Sequence, residues 1–349
     1  MTLTNFIPVA EYTRGPIIES MQIGAAAVVD NQSRLVASLG NPGLITYPRS
    51  SAKPFQVLSL IEDGGAETYN LTDQEIAIMC ASHSGTDKHV AVLQALQPRI
   101  GVSPEDLQCG THPPLSKASA KALILRGEEP NTLHENCSGK HTGMLANAKM
   151  RGLPTEDYLN PEHPVQKIII KAAAEMMDMT ADDFILGTDG CSAPVFAMPM
   201  ANAALAFARL CDPAGLPAKR AAALHRIARA MMAHPDMVAG PERFDTILME
   251  TFKGQIVVKG GAEGYQALGI MPGLISPHSP ALGITIKISG GDLAGRARPL
   301  VTLEILRQLG VPFTPAQNEA LAEFDARPVK NWAKLDVGQM RTCFQLKKA

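Results

Sequence analysis

In the segment Arg49-Ser50-Ser51-Ala52-Lys53-Pro54, a serine stands three residues before a lysine. If a helix begins near Ser50 and runs to Gly64, Ser50 and Lys53 share a face, whereas Ser51 and Lys53 do not. A serine hydroxyl attacks a carbonyl only when something takes its proton. A lysine amine can take it once burial or a second cation depresses its pKa. The helix N-terminus adds backbone N–H groups that can hold a developing oxyanion. Pro54 fits a first turn, whose N–H has no helical partner to lose. A serine opening an ordinary helix is the competing reading of the same residues.

Two other stretches extend that chemistry. Ser82 and Ser84 follow the apolar run Ile78-Met79-Cys80-Ala81, and Lys259 follows the strand-like Ile256-Val257-Val258 and precedes two glycines. Those glycines would let a substrate lie against the strand backbone. A solvated lysine before a glycine turn is the plain alternative. The order of Ser-x-x-Lys, a middle serine and Lys-x-Gly on a late strand is similar to that of penicillin-recognising enzymes. The middle element departs from theirs: it reads Ser82-His83-Ser84, without an asparagine, and no motif marks a deacylating glutamate. Penicillin chemistry is therefore not expected.

Reactive side chains also crowd two loops, HENCSGKHTGML from His134 and FILGTDGCSAPVFAMP from Phe184. The first fails as a phosphate-binding loop: His134 stands where glycine is needed, and His141 follows Lys140 in place of Ser or Thr. Cys137 and Cys191 lack paired Cys-x-x-Cys spacing. Their spacing leaves open a metal site, a thiol nucleophile with His134 or His141 as base, and two buried structural cysteines.

The elements that must carry these residues are legible in outline. Residues 23–40 read as two strands around the turn formers Asp30-Asn31-Gln32-Ser33, and short glycine-broken strands recur in residues 254–291. Between them the chain reads mainly helical, as in the stripe Val165, Ile168, Ile169, Ala172 and Met176 behind Pro164. A helix from about Arg298 to Leu309 is expected to close the fold, ended by Gly310. The expected class is α/β of the α+β type: an antiparallel sheet formed by both chain ends, with a helical insert. The 349 residues form a single catalytic unit, with residues 18–50 and 254–349 as a sheet lobe and 51–253 as a mainly helical lobe.

Composition narrows the function classes. A net charge of −2 gives no electrostatic footprint for nucleic acid or a polybasic membrane anchor. No run of eighteen apolar residues and no basic-then-apolar start is present, so neither a membrane span nor a signal peptide is expected. Six cysteines scattered through so long a chain fit reduced thiols in a cytoplasm better than a disulfide scaffold.

Taken together, RSSAKPFQ, SHSGTDKH, HENCSGKHTGML, TDGCSAPVFAMP and MVAGPERFDT resemble the asparaginase II family, the rhizobial or class 3 type of L-asparaginase. The motifs span most of the chain. The resemblance implies a fold similar to serine β-lactamases, penicillin-binding proteins and serine-dependent glutaminases. It also implies hydrolysis of L-asparagine to L-aspartate and ammonia by a homodimer. Carried over by motif, Ser50 and Lys53 form one pair, with Ser50 the nucleophile, and Ser82 and Lys259 form a second. The resemblance further implies zinc beside the active site, held by Cys137, Lys140 and Cys191, with Asp189 and His141 behind them. Arg49 would bind the substrate carboxylate through its two-pronged guanidinium. A serine-dependent glutaminase or related Ser–Lys acyl hydrolase is the alternative enzyme. A non-catalytic zinc- or amino-acid-binding protein on the same fold is the alternative of another class.

Overall fold

The computed structural model describes residues 5–349; residues 1–4 of the amino-terminal segment considered above lie outside them. Two compact units make up the chain: Met1–Pro48, Met198–Asp212 and Gly260–Ala349 form one, and Arg49–Ala197 with Pro213–Lys259 form the other.

An antiparallel sheet dominates the first unit, and both chain ends supply it, as the alternating patterns required. Its strands lie in the order Arg327–Lys330, Asp336–Thr342, Ile7–Arg14, Ile17–Asp30, Leu282–Ile288 and Tyr265–Ile270. Leu35–Leu39 returns from the predicted turn to pair with Ile17–Asp30. Within that long central strand Ala25, Ala27 and Val29 alternate onto one face. There they pack with Phe6, Leu44 and the helix Met200–Cys211 through Met200, Ala204 and Leu205. Gly283 makes this contact possible: a Cβ on it would lie 1.7 Å from the Ala204 carbonyl oxygen. Helix Met200–Cys211 thus belongs with the sheet, although it lies inside the stretch expected to form the helical lobe. The expected closing helix is present as Ala297–Gln308, but the chain continues into helix Pro315–Leu321 and further strands. Their sequences, such as DVGQMRT, show little apolar alternation, because most of their side chains remain in water.

The second unit is helical. Helix Lys53–Glu62 is buried from Lys53 through Ile61, its polar Lys53, Gln56 and Ser59 included. Helices Ser138–Met150, Pro164–Met176 and Ala218–Ala233 surround it. A short hairpin, Ile185–Thr188 with the start of Pro194–Pro199, presents the loop that bears Cys191. No helix among the described residues is long and apolar enough to cross a membrane.

Candidate active site

Every residue singled out from the sequence for chemistry falls in the second unit. The first turn differs from the expected one. Residues Arg49–Ala52 form a 3-10 turn, and the α-helix starts only at Lys53, with no side-chain cap. Neither serine is therefore a helix cap. Arg49 enters this turn with φ of 51°, a left-handed conformation that a non-glycine residue holds only when its surroundings enforce it. The enforcement is visible. The Arg49 Nε and Nη2 donate to Asp189 Oδ1 at 2.9 and 2.6 Å, and the buried Ser51 hydroxyl donates to the Lys259 carbonyl at 2.6 Å. Ser50 stays half-buried, and no described residue hydrogen-bonds its hydroxyl.

Lys53 points elsewhere than helical spacing suggested. Its Nζ donates to the Ala81 carbonyl, to Ser82 Oγ at 3.1 Å and to the Asn136 carbonyl at 3.4 Å. Three acceptors match the three N–H bonds of an ammonium group. Lys259, at the end of the buried strand Ile256–Gly260, donates to the same Ser82 Oγ at 3.0 Å. Ser82 is therefore the hydroxyl that two buried lysines share. Burial, and then the positive charge of Lys53, push the Lys259 amine down to about 7. A buried amine beside a second cation is thus partly neutral near neutral pH and able to accept a proton. Cys80, close to both lysines, is inert by comparison, since burial pushes its thiol up to about 12.

Local packing places Ser82 beside the second cluster. Gly139 sits against the end of helix Asp73–Met79, where a Cβ would come within 2.1 Å of the Ile78 carbonyl oxygen. Only glycine allows helix Ser138–Met150 to start so close to the segment that leads into Ser82. Cys137 precedes that helix, and Lys140, three residues on, shares its face. The Lys140 Nζ lies 2.8 Å from Cys191 Sγ, and Cys137, Lys140 and Cys191 are all buried. The Cys137 thiol donates to Asn136 Oδ1 at 2.9 Å, and the neighbouring Cys137, the Lys140 charge and the His141 imidazole hold Cys191 far below the usual thiol range. Burial opposes the Lys140 charge, but the two cysteines outweigh it and raise its pKa. The metal-free cluster is thus a thiol, a thiolate and an ammonium.

The donor set fits zinc by type, with two sulfurs and an amine that can ligate once its proton leaves. Among the described residues no three His, Cys, Asp or Glu side chains form a metal-ligand group, so such a site depends on Lys140. The two histidines considered as thiol bases lie differently. His134 Nδ1 accepts the Asn131 N–H in a capping turn, while His141 Nδ1 is 2.6 Å from the Tyr158 hydroxyl.

Sequence reasoning passed over several neighbours. Glu135 is buried, takes the Cys137 N–H at 2.6 Å and pairs with His112 at 3.6 Å. Despite burial, the His112 contact, the Lys53 charge and that N–H keep its carboxyl below its ordinary range. Only its place in the HENC run hinted at it. The Arg49–Asp189 bond was also unforeseen, since 140 positions separate the partners.

The family model described as L-asparaginase II matches residues 10–342, and the chain belongs to that family. Membership carries the coarse activity, hydrolysis of an amide. No curated protein matches the chain. Among solved structures, it is similar to a probable glutaminase from Bacillus subtilis complexed with 6-diazo-5-oxo-L-norleucine. The identity is 10%, the alignment covers 83% of this chain and 85% of that one, and the TM-score is 0.39. A Bacillus glutaminase determined in 4.3 M NaCl matches at 10% identity and TM-score 0.39, over 83% of this chain and 92% of that one. Similarity this distant does not bear on substrate.

Proposed function

We propose, from membership of the L-asparaginase II family and from a serine held between two buried lysines, that the protein hydrolyses L-asparagine to L-aspartate and ammonia. In this reading Ser50 Oγ attacks the side-chain amide carbon. Its hydroxyl is half-buried and uncommitted, and the Arg49 turn holds it beside the lysine-bearing helix. The attacking oxygen loses its proton toward the Ser82–Lys259 pair. The C–N bond then breaks, the proton leaves with ammonia, and water hydrolyses the Ser50 ester to release aspartate. Lys53, with three carbonyl or hydroxyl acceptors around its amine, stabilises the negative charge that develops nearby.

The substrate is an α-amino acid, and the Arg49–Asp189 pair offers groups of both signs to a zwitterion. Arg49 would take the carboxylate and Asp189 the ammonium. Zinc, held by Cys137, Lys140 and Cys191, would lock the 137–140 and 189–191 segments in place; as a Lewis acid it polarises oxygen ligands. A homodimer in the cytoplasm, with the six cysteines unpaired as they are here, completes the proposal.

One observation favours a second reading, in which Ser82 is the nucleophile: both lysine amines touch Ser82 Oγ. Mass spectrometry after an electrophilic asparagine analogue decides between them by the serine that carries the label. Ser50→Ala is expected to lower ammonia release from asparagine by about 10³-fold or more while the protein stays folded. Retained turnover in that variant, with the label on Ser82, would transfer the nucleophile. A preference for glutamine over asparagine would replace the substrate.

A further inference from the structure

His83 follows Ser82 directly in the chain and is fully buried. A histidine beside a reactive serine invites the role of base, but its hydrogen bonds forbid that. Its Nδ1 accepts the Gly85 N–H at 3.1 Å, so the ring proton must lie on Nε2. That nitrogen lies 2.8 Å from Ser138 Oγ, and Ser138 passes its own proton to the Leu133 carbonyl at 3.2 Å. Every polar atom in the chain from Gly85 to Leu133 is thereby committed, with no lone pair left for Ser82.

The surroundings make the arrangement rigid. His83 stacks on His89 with centroids 5.0 Å apart. His89 uses both nitrogens in the same sense, accepting the Thr86 N–H and bonding the Asp236 carbonyl. The Ser82 N–H donates to the Val238 carbonyl, and Ser84 Oγ to the Ala239 carbonyl. Gly240, with φ of 122°, leaves Ser84 its space: a Cβ there would lie 2.4 Å from Ser84 Oγ. Ser138, the other end of the His83 bond, is the residue after Cys137 and two before Lys140. Burial, and then the neighbouring His89 ring and the Lys53 charge, push the His83 pKa well below its ordinary value, which keeps the ring neutral.

We propose that His83 is a positioning residue, which fixes Ser82 against Lys53 and Lys259 and ties that centre to the turn bearing Cys137 and Lys140. The proposal rests on the amide-hydrolase reading for its kinetic consequences, while its structural content stands apart from turnover. Nitrogen-15 NMR of the histidine rings should show His83 as the Nε2–H tautomer, without titration from about pH 5 to 9. A titrating or Nδ1–H ring overturns the proposal whether or not asparagine is hydrolysed. With L-asparagine as substrate, His83→Leu should lower kcat by about 10²-fold with KM changed less than threefold, as expected when a reacting group is displaced by about an ångström. His83→Gln can still accept from Gly85 and donate to Ser138, and should recover kcat to within about tenfold of the native enzyme. Ser138→Ala should imitate the leucine variant, and the double variant should be no worse than His83→Leu alone. Native kcat in folded His83→Leu, a glutamine variant no better than the leucine one, or additive losses would each overturn it. Absence of turnover in the native protein would instead overturn the hydrolase reading, and the tautomer would still decide the role of His83.

Discussion

Lys259 and Lys140 are both buried, yet they carry opposite charges of meaning for the molecule. Lys259 is 1% exposed and Lys140 is 4% exposed, so desolvation acts on each alike. Around Lys259 stand a hydroxyl and a second lysine, and its amine falls to about 7. Around Lys140 stand two cysteines, one of them a thiolate at 2.8 Å, and its pKa rises. Burial sets how strongly neighbours are felt; the neighbours set the sign. One lysine is prepared to exchange a proton, and the other to hold its charge.

The largest effect that tests this contrast is catalytic. Lys259→Met should reduce kcat/KM for asparagine by about 10³-fold, the scale of losing a positioned base. The native pH profile should rise up to pH about 7 and then level, because the amine is neutral only above its pKa. That limb should vanish in the methionine variant. A native profile flat from pH 5 to 9 would contradict the role given to Lys259.

Stability comes next, and here the two lysines should respond with opposite sign. In metal-stripped protein, Lys140→Met leaves a buried thiolate without its partner and should destabilise the fold by about 3–5 kcal/mol. Lys259→Met removes a depressed amine and should stabilise it near pH 7. The sign follows from linkage. Between about 7 and the ordinary value of 10.5, the unfolded chain binds the proton that folded Lys259 refuses. Native stability should therefore rise relative to Lys259→Met across that window, at up to about 1.4 kcal/mol per pH unit. Denaturant titrations at pH 7 and 10 measure the difference, and equal shifts in both variants would erase the comparison.

The smallest effect concerns the bridge between these clusters. Arg49 and Asp189 are partly exposed, so their pairing should contribute no more than about 1 kcal/mol to stability. Arg49→Lys loses the two-pronged contact and should raise KM by about tenfold with a lesser change in kcat. An unchanged KM would remove Arg49 from substrate binding.

What could be read without coordinates was local. The helix after Pro54, the strand ending at Lys259 and the alternation in Ile284–Ile288 follow from apolar spacing and β-branched content, which act over a few residues. The candidate residues were legible by type for the same reason: a serine before a lysine, or a cysteine between glycines, is unusual within its own segment. Less visible were Ile7–Arg14, whose buried run includes the polar Glu11 and Thr13, and Asp336–Thr342, in which only Met340 is buried.

By itself, then, the sequence determined the helical middle, the sheet from both ends and the inventory of reactive side chains, because propensity and periodicity are short-range properties. Only the tertiary structure decided which partners those side chains meet. Three-residue spacing suggested that Lys53 serves Ser50, but a 3-10 turn and the close approach permitted by Gly139 send it to Ser82. The charge on each buried lysine was undecided for the same reason. A deciding neighbour of each arrives from a segment more than fifty positions away, Cys191 for Lys140 and Lys53 for Lys259, and no local pattern records what folding brings beside it.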